Sequence, residues 1–201
     1  MKYAYTLAAA ITFVATPALA NDNPRMQVYA GPVIGYDNVA LSNVGGSVSK
    51  GGLSYGGILG VDAPTGGRTR IGVEAEVTGS TTSETLALDA VNSIKMHMGR
   101  DLSISAKVGF MVTSKLEAFA KVGYTNTSLS IDSIASGVVT GTAKSKLGGY
   151  RVGAGLTYFM DKFRVGMEYR YSNYGDLSIN GISTGINVHR HQAVASVAYG
   201  F

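Results

Sequence analysis

Apolar residues alternate with polar or small ones over about ten residues at a time, eight times along the chain, and period-two alternation marks β-strands. In the first segment, 27–37, Val28, Ala30, Pro32, Ile34 and Tyr36 face one way and Tyr29, Gly31, Val33 and Gly35 the other. Pro32 lacks an N–H, so this strand needs a bulge or local irregularity there. The other segments are 53–63, 70–79, 101–112, 116–125, 148–159, 163–172 and 190–201. Ten residues is the length with which a tilted strand crosses a bilayer. The connections alternate too. Those at 64–67, 113–115 and 160–162 are short turns, whereas 38–52, 80–100, 126–147 and 173–189 are long, rich in Gly, Ser, Thr and Asn, and read as loops. This pattern predicts an all-β fold: an eight-stranded antiparallel up-and-down β-barrel, with turns at one end, loops at the other and no further domain after the last strand.

The direction of the two faces decides between a soluble and a transmembrane barrel. The polar face carries Glu74, Glu76, Lys107, Glu117, Lys121, Arg151, Arg164, Glu168, Arg170 and Arg190 among small residues. On the apolar face, Tyr36, Tyr55, Tyr124, Tyr150 and Tyr171 fall at the loop ends of their strands, and Tyr158, Phe163, Tyr199 and Phe201 at the turn ends. Two aromatic girdles separated by Val, Leu, Ile and Ala match two membrane–water interfaces, and a soluble core has no reason to sort aromatics to both rims. The apolar face therefore points to lipid. The ten charged residues point into a lumen just wide enough for side chains, where four glutamates and six bases must pair. This predicts a network of ion pairs filling the lumen. Within it, Glu74, Glu76, Lys107, Lys121, Glu168 and Arg170 are the ion pairs expected to set lumen closure, and the competing reading of the charges is a narrow gated ion path.

Composition adds an export signal. Lys2, the apolar stretch 4–14, Pro17 and Ala18-Leu19-Ala20 match a cleavable signal peptide over 1–20, with the barrel domain over 21–201 and both termini in the periplasm. The stretch is too short, and too interrupted by Thr6, Thr12, Thr16 and Pro17, to span a membrane as a helix. The absence of cysteine excludes disulfides, thiolate metal sites and a cysteine nucleophile. The net charge of +4 falls by one when Lys2 leaves, and the bases are scattered, which argues against nucleic acid as a partner.

The terminal alternation Val197, Tyr199, Phe201 resembles the signal of outer-membrane barrels read by the barrel-assembly machinery. Arg164-Val165-Gly166-Met167-Glu168-Tyr169-Arg170-Tyr171-Ser172-Asn173-Tyr174-Gly175 resembles the penultimate strand of opacity-type and porin-family small outer-membrane proteins. These share their barrel with the membrane domain of outer membrane protein A. The resemblance implies a Gram-negative cell outer membrane location, with lipid and lipopolysaccharide as surroundings. It also implies a structural or porin-like envelope role or, alternatively, a surface adhesin meeting a host or surface ligand through four extracellular loops. A soluble periplasmic lipocalin-like barrel is a further alternative, and it requires an apolar lumen.

Enzymatic chemistry finds little support. Lipid A deacylases of this barrel size carry a His-x-Ser-Asn motif, and the similar place here reads Arg170-Tyr171-Ser172-Asn173. Arginine replaces the base that would activate Ser172, and Ser172 points inward, away from lipid. His189 and His191 flank Arg190, but with no third ligand spaced nearby they read as polar rim residues, as does His97. Together with Arg190 they are candidates for lipopolysaccharide phosphates. The run 45–52 resembles a phosphate loop only superficially, since it lacks the Gly-Lys-Ser/Thr ending and a following helix. The expectation is a non-enzyme without cofactor or metal.

Overall fold

Alternation becomes structure because each strand finds partners that satisfy its backbone. The computed structural model describes residues 26–43, 46–87, 92–135, 138–179 and 182–201. Among these residues lie β1 (Gln27–Asn43), β2 (Gly46–Gly66), β3 (Thr69–Ser80), β4 (Ser83–Ala87), β5 (Asn92–Met111), β6 (Leu116–Ala135), β7 (Val138–Met160), β8 (Phe163–Ile179) and β9 (Ile182–Gly200). Sequential neighbours other than β3 and β4 pair antiparallel, and β1 pairs with β9. The sheet closes where β3 pairs with β5 from Thr69↔Phe110 to Thr78↔Asp101. Eight strands form the barrel wall, and β4 is a short rim strand that pairs with the outer part of β5. The signal segment 1–20 and its cleavage point lie outside the described residues.

The facing of the strands follows the period of two. On β3, Glu74, Glu76 and Thr78 are buried, while Val73 and Val77 are about half exposed (47% and 49%). On β5, Asp101, Ser103, Ser105 and Lys107 are buried, and Leu102, Ile104, Val108 and Phe110 are exposed. An exposed apolar belt running round a closed sheet, with charges inside, is the inverse of a soluble protein and fits a hydrocarbon surround. One side of the lumen is apolar as well: Tyr29, Val33, Ile58, Val194 and Ala198 form a buried cluster where β1, β2 and β9 meet.

The turns lie at the end that also holds both described termini, where the Phe201 N–H donates to the Val28 carbonyl at 2.9 Å. Gly66 and Gly67 (φ +107° and +59°) supply the left-handed backbone between β2 and β3. Thr113 Oγ1 accepts from the N–H groups of Lys115 and Leu116, at 3.2 and 3.0 Å, fixing the turn between β5 and β6. Asp161, at φ +50°, turns β7 into β8; aspartate tolerates this region better than most residues. Pro32 needs no bulge. It pairs in register with Gly57 of β2, whereas the β1–β9 ladder skips Gly31 and Pro32 and resumes at Val33↔Ser196 in the same register. The missing donor falls in that gap.

At the opposite end the structure corrects the sequence reading. The stretches 38–52, 80–100, 126–147 and 173–189 are largely strand, so β1, β2, β5, β6, β7, β8 and β9 run well beyond the ten-residue spans. Their Gly, Ser and Thr content resembles loop composition, yet the alternation continues, as in Leu129-Ser130-Ile131-Asp132, and threonine suits a pleated surface. Above the barrel the sheet divides. β7 stays paired with β6 up to Ala135↔Val138, but its pairing with β8 ends at Tyr150↔Asn173. β2 stays paired with β1 up to Asn43↔Gly46, but its pairing with β3 ends at Ser54↔Ser80. The rim is therefore two leaves, β4-β5-β6-β7 and β8-β9-β1-β2, rather than four separate loops.

Candidate functional site

Strand parity alone carries all ten sequence-predicted charges, Glu74, Glu76, Lys107, Glu117, Lys121, Arg151, Arg164, Glu168, Arg170 and Arg190, into the lumen, where every one has an oppositely charged neighbour within 4 Å. Four further residues join them: Asp37, Asp62, Asp101 and the partly buried Arg70. Seven carboxylates thus face seven cations. That balance suits a low-dielectric interior, where each unpaired charge costs several kcal/mol.

The network has three tiers. Nearest the turns, Arg164 Nη1 and Lys107 Nζ share Asp62 Oδ2 at 2.8 and 3.2 Å. Arg164 Nη2 donates to Gln27 Oε1 at 2.6 Å, and its guanidinium lies 3.7 Å from the centre of the Tyr29 ring. Glu117, fully buried, takes Lys107 at 2.7 Å and Arg70 at 3.4 Å, both as charge contacts rather than aligned hydrogen bonds.

In the middle tier Lys121 Nζ stands between Glu74, Glu76 and Glu168, at 3.2 Å from Glu76 and 2.6 Å from Glu168. Tyr29 Oη donates to Glu74 at 2.7 Å. Arg170 pairs with Glu76 and donates through Nε to Gln192 at 2.9 Å. The oxygens of Glu74, Glu76 and Glu168 lie within 4.8 Å of one another, the spacing of a metal cage, but the Lys121 ammonium already occupies the centre.

In the outer tier Arg151 grips Asp101 with Nη2 at 3.0 Å to both oxygens and reaches Ser172 and Ser103 at 2.8 and 3.0 Å. Arg190 binds Asp37 through Nε and Nη2, both at 2.7 Å, and Asp101 through Nη1 at 2.9 Å. The Tyr174 phenol closes this tier by donating to Asp101 at 2.7 Å. The space left beside the middle tier is a cavity of ≈ 30 Å³, lined among others by Tyr29, Glu74, Lys121 and Glu168. That is room for isolated water and not for a water column.

Sequence reasoning missed Asp37, Asp62 and Asp101 as network members, although their parity was visible. Asp37 and Asp101 sit at the ends of the alternating segments, where a polar residue reads as the start of a loop. Only the extended strands show that the lumen continues past them.

The aromatics lie outward. Tyr36, Tyr55, Tyr124 and Tyr150 are more than half exposed at the rim end of the belt, and Tyr158, Phe163 and Phe201 are exposed at the turn end. Tyr199 is half-buried between Phe163 and Phe201, with edge-on ring contacts of 5.3 and 5.2 Å. Tyr171 is half-buried against His189 and His191. Tyr169 and Phe110, absent from the sequence reading of the girdles, are also exposed on this face. Val197, exposed, continues the line of Tyr199 and Phe201 on β9. Of the histidines, His97 on the rim lies 3.7 Å from Asp132. Ser172 is buried in the lumen against Arg151 and has no contact with His189 or His191, which lie on the outer face.

The family model described as outer membrane protein β-barrel domain matches residues 6–201. No curated protein sequence matches significantly. Among solved structures, Neisserial surface protein A is 16% identical with a TM-score of 0.55, over 87% of this chain and 97% of that one. The attachment invasion locus protein Ail of Yersinia pestis, solved in complex with the heparin analogue sucrose octasulfate, is 14% identical with a TM-score of 0.50, over 86% of this chain and 99% of that one. At these identities the likeness is one of fold.

Proposed function

We propose that this chain, which belongs to the outer membrane protein β-barrel domain family, is a structural barrel of the outer membrane whose lumen is closed by its own ion pairs. The observation that carries this reading is the three-tier network of seven carboxylates and seven cations, with a cavity of ≈ 30 Å³ beside its middle tier. A path for solutes would need a continuous string of water, and each long side chain removed from its partners to make one would leave a buried charge unpaired. A lipocalin-like role requires an open apolar lumen, so the charged and filled interior disfavours it. The test is solute uptake by proteoliposomes. Vesicles carrying the folded barrel should swell in small sugars no faster than empty vesicles, and rapid swelling would overturn the closed-lumen reading.

A second reading, surface adhesion, is favoured by the two-leaf rim. Among the described residues, β7 beyond Tyr150 has no ladder partner on β8, and such an edge can accept an extended segment from another protein. Ail, of similar fold, holds a sulfated sugar, which makes a polyanionic surface ligand a reasonable class to test at the exposed bases Arg100 and Lys146. Shortening β6 and β7 above Tyr124 and Tyr150 should abolish attachment to host cells while leaving the folded barrel in the membrane. Undiminished attachment would remove this reading.

A further inference from the structure

We infer that His189 and His191, on the outer face of β9, form a two-imidazole site for a borderline divalent transition cation of the Cu²⁺, Ni²⁺ or Zn²⁺ class. Spacing of two residues on a strand turns both side chains to the same face, with Cα atoms about 6.8 Å apart. The pairs Tyr171↔His191 and Asn173↔His189 put β8 alongside. Tyr169 Oη lies 2.7 Å from His191 Nδ1, and Tyr171 Oη lies 2.7 Å from His189 Nδ1. Tyr171 also packs against both rings, stacked on His189 at 5.9 Å and tilted to His191 at 4.9 Å. The two imidazoles are thus fixed on one patch by a neighbouring strand, and no hydrogen bond reaches either Nε2 among the described residues.

A histidine ligand is oriented through the ring nitrogen that does not bind the metal. With the proton on Nδ1 donated to a tyrosine oxygen, the lone pair of Nε2 is left for a cation. The phenol hydroxyls can rotate to accept, so this tautomer needs no backbone movement. Level and charge also fit. His191 lies two pairs beyond Ala193, the partner of girdle residue Tyr36, and pairs with girdle residue Tyr171, so the site is level with the outer girdle at the membrane–water interface. Arg190, between the two histidines, points the other way and is neutralised by Asp37 and Asp101. Imidazole pairs suit these ions, with Cu²⁺ held most tightly, and water completes the coordination. No third protein ligand is required, and the bracing of both rings by β8 is visible only in the fold.

The experiment is Cu²⁺ titration of the full-length folded barrel in detergent, followed by electron paramagnetic resonance. One Cu²⁺ per chain with a nitrogen pattern from two imidazoles is expected, and it should be lost in the variant carrying His189→Ala and His191→Ala. His97→Ala should keep it. The double variant Tyr169→Phe and Tyr171→Phe should keep the stoichiometry and weaken binding ten- to a hundredfold, the usual effect of losing the orienting partner. All these side chains lie outside the lumen network, and heat-modifiable gel mobility checks that each variant is folded. Absence of bound Cu²⁺ in the wild type, or an unchanged signal without both histidines, would overturn the site.

Discussion

Arg190 on β9 and Asp37 on β1 join the two chain-distant strands that close the barrel, through paired hydrogen bonds of 2.7 Å from one guanidinium to both oxygens of one carboxylate. A third bond from Arg190 to Asp101 carries the link across the lumen to β5. Arg190→Ala leaves two buried carboxylates short of a partner, and a loss of about 3–5 kcal/mol is expected. Lysine cannot reproduce the bidentate fork, so Arg190→Lys should recover only part of it. The measurement is the urea concentration at which the fast-migrating folded band disappears from unboiled gels. A midpoint equal to wild type for Arg190→Ala would show that this pair does not hold the rim together.

The inner wall is closely fitted at Gly60, where a Cβ would overlap the phenol of Tyr29. Gly60→Ala should push Tyr29 off Glu74 and destabilise the barrel by about 1–3 kcal/mol. Combined with Tyr29→Ala, the added methyl should cost little, because the obstructing ring is gone. The same urea assay in a double-mutant cycle checks this, and additive losses would contradict the contact.

The alternation of apolar and polar residues made the barrel legible in the sequence, since parity alone assigns Glu74 to the lumen and Val73 to lipid. Membership of the ion-pair network was less legible. Asp37 and Asp101 lie at the ends of their alternating segments, and partners such as Asp37 and Arg190 are 153 residues apart, so only barrel closure brings them together. The rim leaves were hidden for the same reason. Composition shows what a segment tolerates, while a neighbouring strand decides whether its backbone is paired. Tyr174 shows the limit most plainly: it follows a segment that ends at Ser172, yet its hydroxyl reaches back to Asp101.

Export should remove residues 1–20. Intact-mass measurement on protein from outer membranes is expected to give a chain beginning at Asn21. A chain that retains Met1 would contradict the signal-peptide assignment.

The terminal aromatic should matter for assembly more than for stability. Phe201 is 77% exposed and touches Tyr199 at its edge, so Phe201→Ser removes little packing. In cells this variant should accumulate unassembled, whereas the same purified chain should refold into detergent with a midpoint close to wild type. Normal assembly in cells would remove Phe201 from the role of assembly signal.

The closed lumen is tested most directly by planar-bilayer recording of the folded wild-type barrel beside Glu74→Ala and the double variant Arg151→Ala and Arg170→Ala. The wild type should show no resolved current steps, and Glu74→Ala should stay silent because the other tiers still fill the cross-section. The double variant, which removes one arginine side chain from the outer tier and one from the middle tier, should conduct. Regular current steps from the wild type would contradict the account.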